Sequence, residues 1–152
     1  MIAQEGIRDE LNKVVRYYYD AKEDYRLAAK RASDKAQVDL FADLCARRER
    51  YHHELQLAET TLGIEMSDNG HVGADFKRDW ERVRGAVAGH GLEAALQLAH
   101  TSDLHAANQI DALLAFGVTG NVGTILRSHL QEIRPALAQV ESALATLKAR
   151  PA

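Results

Sequence analysis

The sequence predicts an all-α protein, a single four-helix-bundle domain over residues 1–152 whose second and third helices are joined by a long crossover holding a short fifth helix. Three observations carry this expectation. Along four stretches, about 5–32, 34–62, 92–116 and 122–148, apolar residues recur at alternating three- and four-residue steps, the spacing of one buried helical face. No stretch reads as a strand. Between the second and third stretches, turn residues are followed by a shorter periodic run, about 72–88, which at 1.5 Å per residue can carry the chain back along the bundle.

The first helix keeps strict four-then-three spacing through Ile7, Leu11, Val14, Tyr18, Ala21, Tyr25, Ala28 and Ala32, with charged residues on its other faces. Tyr17, Tyr18 and Tyr19 do not form one platform, because consecutive helix residues point about 100° apart; core packing of one or two is expected instead. Ser33 and Asp34 break the pattern, and Asp34 with Gln37 resembles a capping box for the next helix. So short a turn makes the first two helices an antiparallel hairpin.

The second helix presents Phe41, Leu44, Tyr51, Leu55, Ala58 and Leu62, and Arg48 stands where the same count demands an apolar residue. Gly63 is expected to cap it. Residues 64–71 carry turn chemistry, and Val72, Phe76, Trp80, Val83 and Val87 then space as the crossover helix, ended by Gly89-His90-Gly91. The third long helix therefore starts at the same end as the second and runs parallel to it, the ferritin-like arrangement. Its seam is Leu92, Leu96, Ala99, Ala106, Ile110 and Leu113, with Asp103 as the misfit. After the turn 117–121, where Asn121 is the expected N-cap, Val122, Leu126, Ile133, Val140 and Leu147 form the fourth seam, with His129 as its misfit. Pro135 falls inside this helix, removes the bond to the Gln131 carbonyl and predicts a kink.

Composition narrows the classes. A chain of 152 residues can bury a real core, and a net charge of −3 argues against nucleic acid or an anionic membrane as partner. Cys45 is the sole cysteine, which excludes an internal disulfide and any multi-cysteine metal site and reads as a small buried hydrophobe. Charges interrupt the N-terminal segment and no apolar run is long enough to span a bilayer, so a cytoplasmic location is expected.

The order of elements resembles a ferritin-like family of small bacterial four-helix-bundle proteins known as a domain of unknown function. The resemblance rests on Asp20, Glu23, Tyr25 and Arg26 in the first helix, on Arg48, Tyr51, Glu54 and Leu55 in the second, and on the loop-then-Trp80 crossover leading to Asp103. It implies a ferritin-type bundle and no established activity. The chain departs from the family pattern at Ser102-Asp103, where a Gly-acidic pair is expected, and at Leu137, where a histidine is common.

A carboxylate-bridged di-iron centre needs inward carboxylates from two helices and an inward E-x-x-H from each of the other two. Glu49 to His52 has that spelling, but Glu49 lies one residue off the seam; Glu23 is similarly displaced, and His129 to Glu132 is the motif reversed. As alternatives to no metal at all, the candidate ligands for iron or zinc are Glu23, Glu49, His52, His53, Asp103, His129 and Glu132, with His53 and Glu49 one turn apart as a weak surface site. Ser102, Asp103 and His105 are too close along one helix to assemble a nucleophile, base and acid in line. No strand precedes the glycines of the turn 117–123, which read as caps and not as a phosphate cradle.

What remains is a buried polar layer of Arg48, Asp103 and His129. Counted from the shared end of two parallel helices, Arg48 and Asp103 lie nearly level, and opposite charges at equal depth argue for a hydrogen-bonded pair that sets helix register, with a tyrosine of the first helix able to supply a further partner. The expected function is a non-catalytic bundle, stress- or assembly-related, without a cofactor, working through protein contacts as a homodimer; the alternative is a ferritin-like metal-binding or iron-oxidising protein.

Overall fold

The computed structural model describes residues 4–61 and 91–149. They form four helices: α1 (Gln4–Arg31), α2 (Lys35–Thr61), α3 (Leu92–Ala115) and α4 (Gly120–Ala149). No strand occurs among the described residues. Residues 62–90 lie outside them, and with them the expected Gly63 cap and the crossover helix.

Each seam is buried where its period places it. Leu11, Val14, Tyr18, Ala21, Tyr25 and Ala28 of α1 face Phe41, Leu44, Tyr51, Leu55 and Ala58 of α2, Leu96, Ala99, Ala106, Ile110 and Leu113 of α3, and Val122, Leu126, Ile133 and Val140 of α4. The outermost seam residues, Ile7, Ala32, Leu92 and Leu147, are half-buried at the bundle ends. Burying such side chains contributes about 1.5–3 kcal/mol for each large one, which is how two short turns suffice to hold long helices together.

Helix directions follow from cross-helix partners. Tyr25 meets Asp103, Tyr17 stacks edge-on against His105 and Glu10 accepts from Gln109, so α1 and α3 are antiparallel. Glu54 meets His129 and Arg50 meets Glu132, so α2 and α4 are antiparallel as well. Since α1 and α2 form a hairpin, α2 and α3 run parallel. α1 packs against α2 and α3, and α4 against the same two from the other side, leaving α2 and α3 diagonal. Of these four contacts, α2 against α4 is the slightest.

The turns explain their own residues. Asp34 caps α2 by accepting from the Ala36 backbone N–H at 2.8 Å. α3 ends in a Schellman motif: the Val118 N–H donates to the Leu113 carbonyl at 3.2 Å and the Gly117 N–H to that of Leu114 at 3.0 Å. Gly117 takes the left-handed conformation this requires, φ +92°, and Val118 and Leu113 are buried in the same cluster. Asn121 is not the N-cap of α4. The helix begins at Gly120 and the Gly123 N–H already donates to the Thr119 carbonyl, so the start lies earlier than the side-chain signal suggested. A Cβ at Gly123 would sit 2.7 Å from the Val118 carbonyl oxygen, so only glycine lets the turn close on α4. The α4 helix continues through Pro135 to Ala149.

Two apolar clusters fill the bundle. One lies towards the α3–α4 turn, built around Leu11, Leu55, Ile110 and Leu126, and the other towards the α1–α2 turn, around Ala28, Phe41, Leu96 and Val140. Between them lies the polar layer.

Candidate functional site

Arg48 from α2 and Asp103 from α3 meet across the bundle diagonal, both with fully buried side chains. The guanidinium grips the carboxylate as a fork: Nε donates to Oδ1 at 2.8 Å and Nη2 to Oδ2 at 2.7 Å. Tyr25 from α1 donates its hydroxyl to Oδ2 at 2.5 Å. The guanidinium also lies over two rings, its Cζ 5.4 Å from the centroid of Tyr25 and 5.2 Å from that of Tyr51. Those π faces partly compensate Nη1, which has no hydrogen-bond partner among the described residues. Burial opposes the Arg48 charge, and the Asp103 carboxylate overcomes it, holding the guanidinium above its ordinary pKa. Burial likewise holds the Tyr25 hydroxyl well above the phenol range, with the Asp103 charge adding to it.

One layer further along, three helices contribute a second chain of hydrogen bonds. The Tyr18 hydroxyl lies 2.8 Å from His129 Nδ1, and His129 Nε2 lies 2.8 Å from Glu54 Oε1. The Glu54 carboxylate only accepts, so it takes the proton-bearing Nε2, and Nδ1 of the neutral ring accepts from the Tyr18 hydroxyl, which burial keeps protonated far above neutral pH. The imidazole therefore carries its proton on Nε2 and donates to Glu54. Burial lowers the His129 pKa against the opposing pull of Glu54, so the ring is neutral at physiological pH. Tyr51 stacks on this imidazole with centroids 4.4 Å apart and contacts Tyr18 at 5.5 Å. Its hydroxyl is pushed up to about 12, chiefly by burial. The tyrosines thus join the two chains into one layer: Arg48, Asp103 and Tyr25, then Tyr51, Tyr18, His129 and Glu54.

Among the described residues of the layer, Glu54 alone reaches the surface, its side chain 43% exposed. Beside it a cleft of about 390 Å³ runs between α2 and α4, where the two helices touch least.

The remaining candidate ligands do not converge. Glu23 pairs with Arg26 at 2.9 Å on the outside of α1, and Glu132 pairs with Arg50 at 2.6 Å. Glu49 and His53 are exposed and His52 is half-buried. Among the described residues, no three His, Cys, Asp or Glu side chains are grouped so as to hold a metal ion. The donor set at the bundle centre does not fit a di-iron cluster: both Asp103 oxygens are engaged by Arg48 and Tyr25, and the guanidinium stands where a cation would have to sit. Nor do Ser102, Asp103 and His105 act together, since Ser102 Oγ is buried without a partner among the described residues, Asp103 faces Arg48, and His105 lies outside against Tyr17.

With this geometry in hand, the comparison with known families is informative. The model of a domain of unknown function, DUF2383, matches residues 7–115. The chain belongs to that family. No curated protein and no solved structure matches it. Residues 7–115 include Tyr18, Tyr25, Arg48, Tyr51, Glu54 and Asp103, whereas His129 lies beyond the matched span. No helix among the described residues is long and apolar enough to cross a membrane.

Several polar residues of the layer escape a reading of periodicity. Tyr18 and Tyr25 both sit on the α1 seam; Tyr25 is the first-helix tyrosine expected to partner the pair, whereas the bond from Tyr18 to His129 carries no signal in the spacing. Glu54, one step off the seam beside Leu55, enters the sequence reading only through the family resemblance. Glu59 is fully buried with both carboxylate oxygens unpartnered among the described residues, and burial pushes its pKa up to about 7. Arg16 and Asp20, one turn apart, form a further buried pair at 3.4 Å. Cys45 is partly buried and packs against the cluster around Phe41 and Leu44, at the α1–α2 edge near Lys22, Glu23 and Arg26, and so is less deeply placed than expected.

Proposed function

We propose that this chain is a non-catalytic bundle of ferritin-like topology that holds no resident cofactor and works through contacts with other protein chains, a second copy of itself first among them. One observation carries the reading. Asp103, the carboxylate at the bundle centre, is saturated by Arg48 and Tyr25, so the position that could serve as a metal ligand or general base serves instead to lock three helices together. The only ionisable groups of the layer that meet solvent do so through Glu54, and the imidazole behind it is held in a single tautomer by partners on both sides. The parallel α2 and α3 support the topology. The surface supports the working mode: Leu57, Leu104 and Phe116 are 58%, 42% and 67% exposed, large apolar side chains available to a partner.

The competing reading, an iron-binding or iron-oxidising protein, is separated by one titration. Protein purified without added metal is titrated anaerobically with ferrous iron and then exposed to oxygen. The expected result is no stoichiometric binding and no rapid oxidation. Two irons per chain, with an absorbance band on oxygen exposure, would overturn the proposal.

A further inference from the structure

We propose that the α2–α4 cleft is a binding site for a small organic cation, a primary ammonium on an apolar body, with Glu54 as its counter-ion. The cleft, about 390 Å³, is within the range of small-molecule sites. Most of its exposed wall is apolar, from Leu57 and Ala58 on α2 and Ile125 on α4, with Glu54, Asn121, Thr124, Ser128 and His129 as polar groups. Leu57 belongs to it and is more than half exposed, an apolar side chain left beside an open hollow.

The charge balance selects the ligand. Among the described residues, the charged side chains that act on His129 at this end of the layer are Glu54, Glu132 and Arg50. Arg50 is committed to Glu132 at 2.6 Å, and His129 is neutral because burial depresses its pKa. The three charged side chains sum to one negative charge, and Glu54 is the carboxylate that Arg50 attracts without a hydrogen bond. Arg48, the nearest cation in the layer, is spent on Asp103. Of the Glu54 carboxylate, Oε1 accepts from His129 Nε2 while Oε2 takes no hydrogen bond among the described residues. That oxygen is a fixed acceptor on the rim of an apolar hollow, since the His129–Tyr18 chain behind it sets its orientation. A carboxylate held in place beside low-dielectric walls attracts a cation more strongly than one free in water, and rejects an anion by the same margin. Ser128 adds a hydroxyl beside it. An ammonium therefore meets an acceptor at the rim while its carbon body covers Leu57, Ala58 and Ile125.

The test uses the whole chain and isosteric probes of three charges: hexylamine and phenethylamine, hexanol, and hexanoate. Binding is followed by calorimetry and by the His129 imidazole resonances. The amines are expected to bind at least about ten-fold tighter than the alcohol, equivalent to about 1.4 kcal/mol, and hexanoate not at all. Glu54→Gln keeps an acceptor for His129 Nε2 and removes only the charge. It should melt like the parent and bind amine and alcohol alike. Ile125→Trp, which fills the hollow from a half-buried surface position, should abolish binding of every probe. Equal affinity for amine and alcohol in the parent chain would overturn the proposal, as would an amine preference that survives Glu54→Gln, or no binding of either amine.

Discussion

Asp103→Ala isolates the central pair most cleanly, and its cost can be worked from the geometry. Arg48 has no exposed surface and loses both charge-assisted bonds, at 2.8 and 2.7 Å. Leaving one member of a buried pair uncompensated costs about 3–5 kcal/mol. Tyr25 loses its acceptor too, and an unsatisfied buried hydroxyl adds about 1–3 kcal/mol, part of which overlaps the first figure. A domain of this size has about 5–15 kcal/mol in total, so the variant should be close to unfolding at room temperature. Arg48→Met with Asp103→Leu removes both charges and leaves apolar side chains of useful volume; it should lie within about 2 kcal/mol of the parent once Tyr25→Phe removes the stranded hydroxyl. Urea denaturation at fixed ionic strength gives all of these values, because urea adds no charge to screen the pair. An Asp103→Ala chain within about 1 kcal/mol of the parent would refute the reasoning, as would a triple variant that loses as much as the single one.

Glu59 and Gly117 give two further tests. The Glu59 carboxyl is raised by burial from 4.5 to about 7, so its contribution is fully present below the unfolded pKa and is lost as pH rises through about 7. Glu59→Gln should therefore leave stability at pH 4 nearly unchanged and raise it at pH 8 by up to about 3 kcal/mol; equal effects at the two pH values would show that the carboxyl titrates normally. Gly117→Ala, at φ +92° in the Schellman turn, should lower stability by about 1–2 kcal/mol in thermal or urea melts without altering helix content, and a neutral result would mean that the turn has another conformation in solution.

The helical seams were legible because their period is a property of helix geometry and needs no knowledge of partners: Leu11 to Ala28, or Leu96 to Leu113, declare a buried face by spacing alone. Misfits on those seams were legible for the same reason, since Arg48, Asp103 and His129 break a period that is otherwise kept. What periodicity cannot convey is the second identity of an amphipathic residue. Tyr18 and Tyr25 satisfy the seam as apolar bodies; a first-helix tyrosine was expected as a further partner of the pair, and Tyr25 is that residue, but spacing alone does not reveal the bond from Tyr18 to His129. Glu54 is hidden differently, because one step off the seam is where a solvated carboxylate and a rim carboxylate look alike. Asn121 misled because the best capping side chain was not at the residue where the backbone enters the helix; a Thr119 carbonyl and a glycine did that instead.

The placement of Arg48 opposite Asp103 follows from direction more than from charge. In two parallel helices depth is counted from one end, and these residues lie at similar distances past Lys35 and Leu92. In an up-down-up-down bundle the same counting would set them at mirrored depths, which coincide only near the midpoint. Sliding either helix by one turn, about 5.4 Å, would pull the guanidinium off the carboxylate and bury both charges alone. The apolar seams tolerate such a slide, because Leu, Ile and Ala recur along them and one turn replaces one apolar residue with another. The ion pair does not tolerate it. Its energetic effect is thus concentrated on the slipped arrangements, where the uncompensated charges cost several kcal/mol, while in the native register desolvation and attraction nearly cancel. This is why the single variants are expected to be severe and the joint replacement mild, and why the joint replacement should reveal its loss in a second property. The Arg48→Met, Asp103→Leu and Tyr25→Phe chain should keep its helices and its stability while broadening its methyl resonances, as seams without a polar anchor sample more than one register.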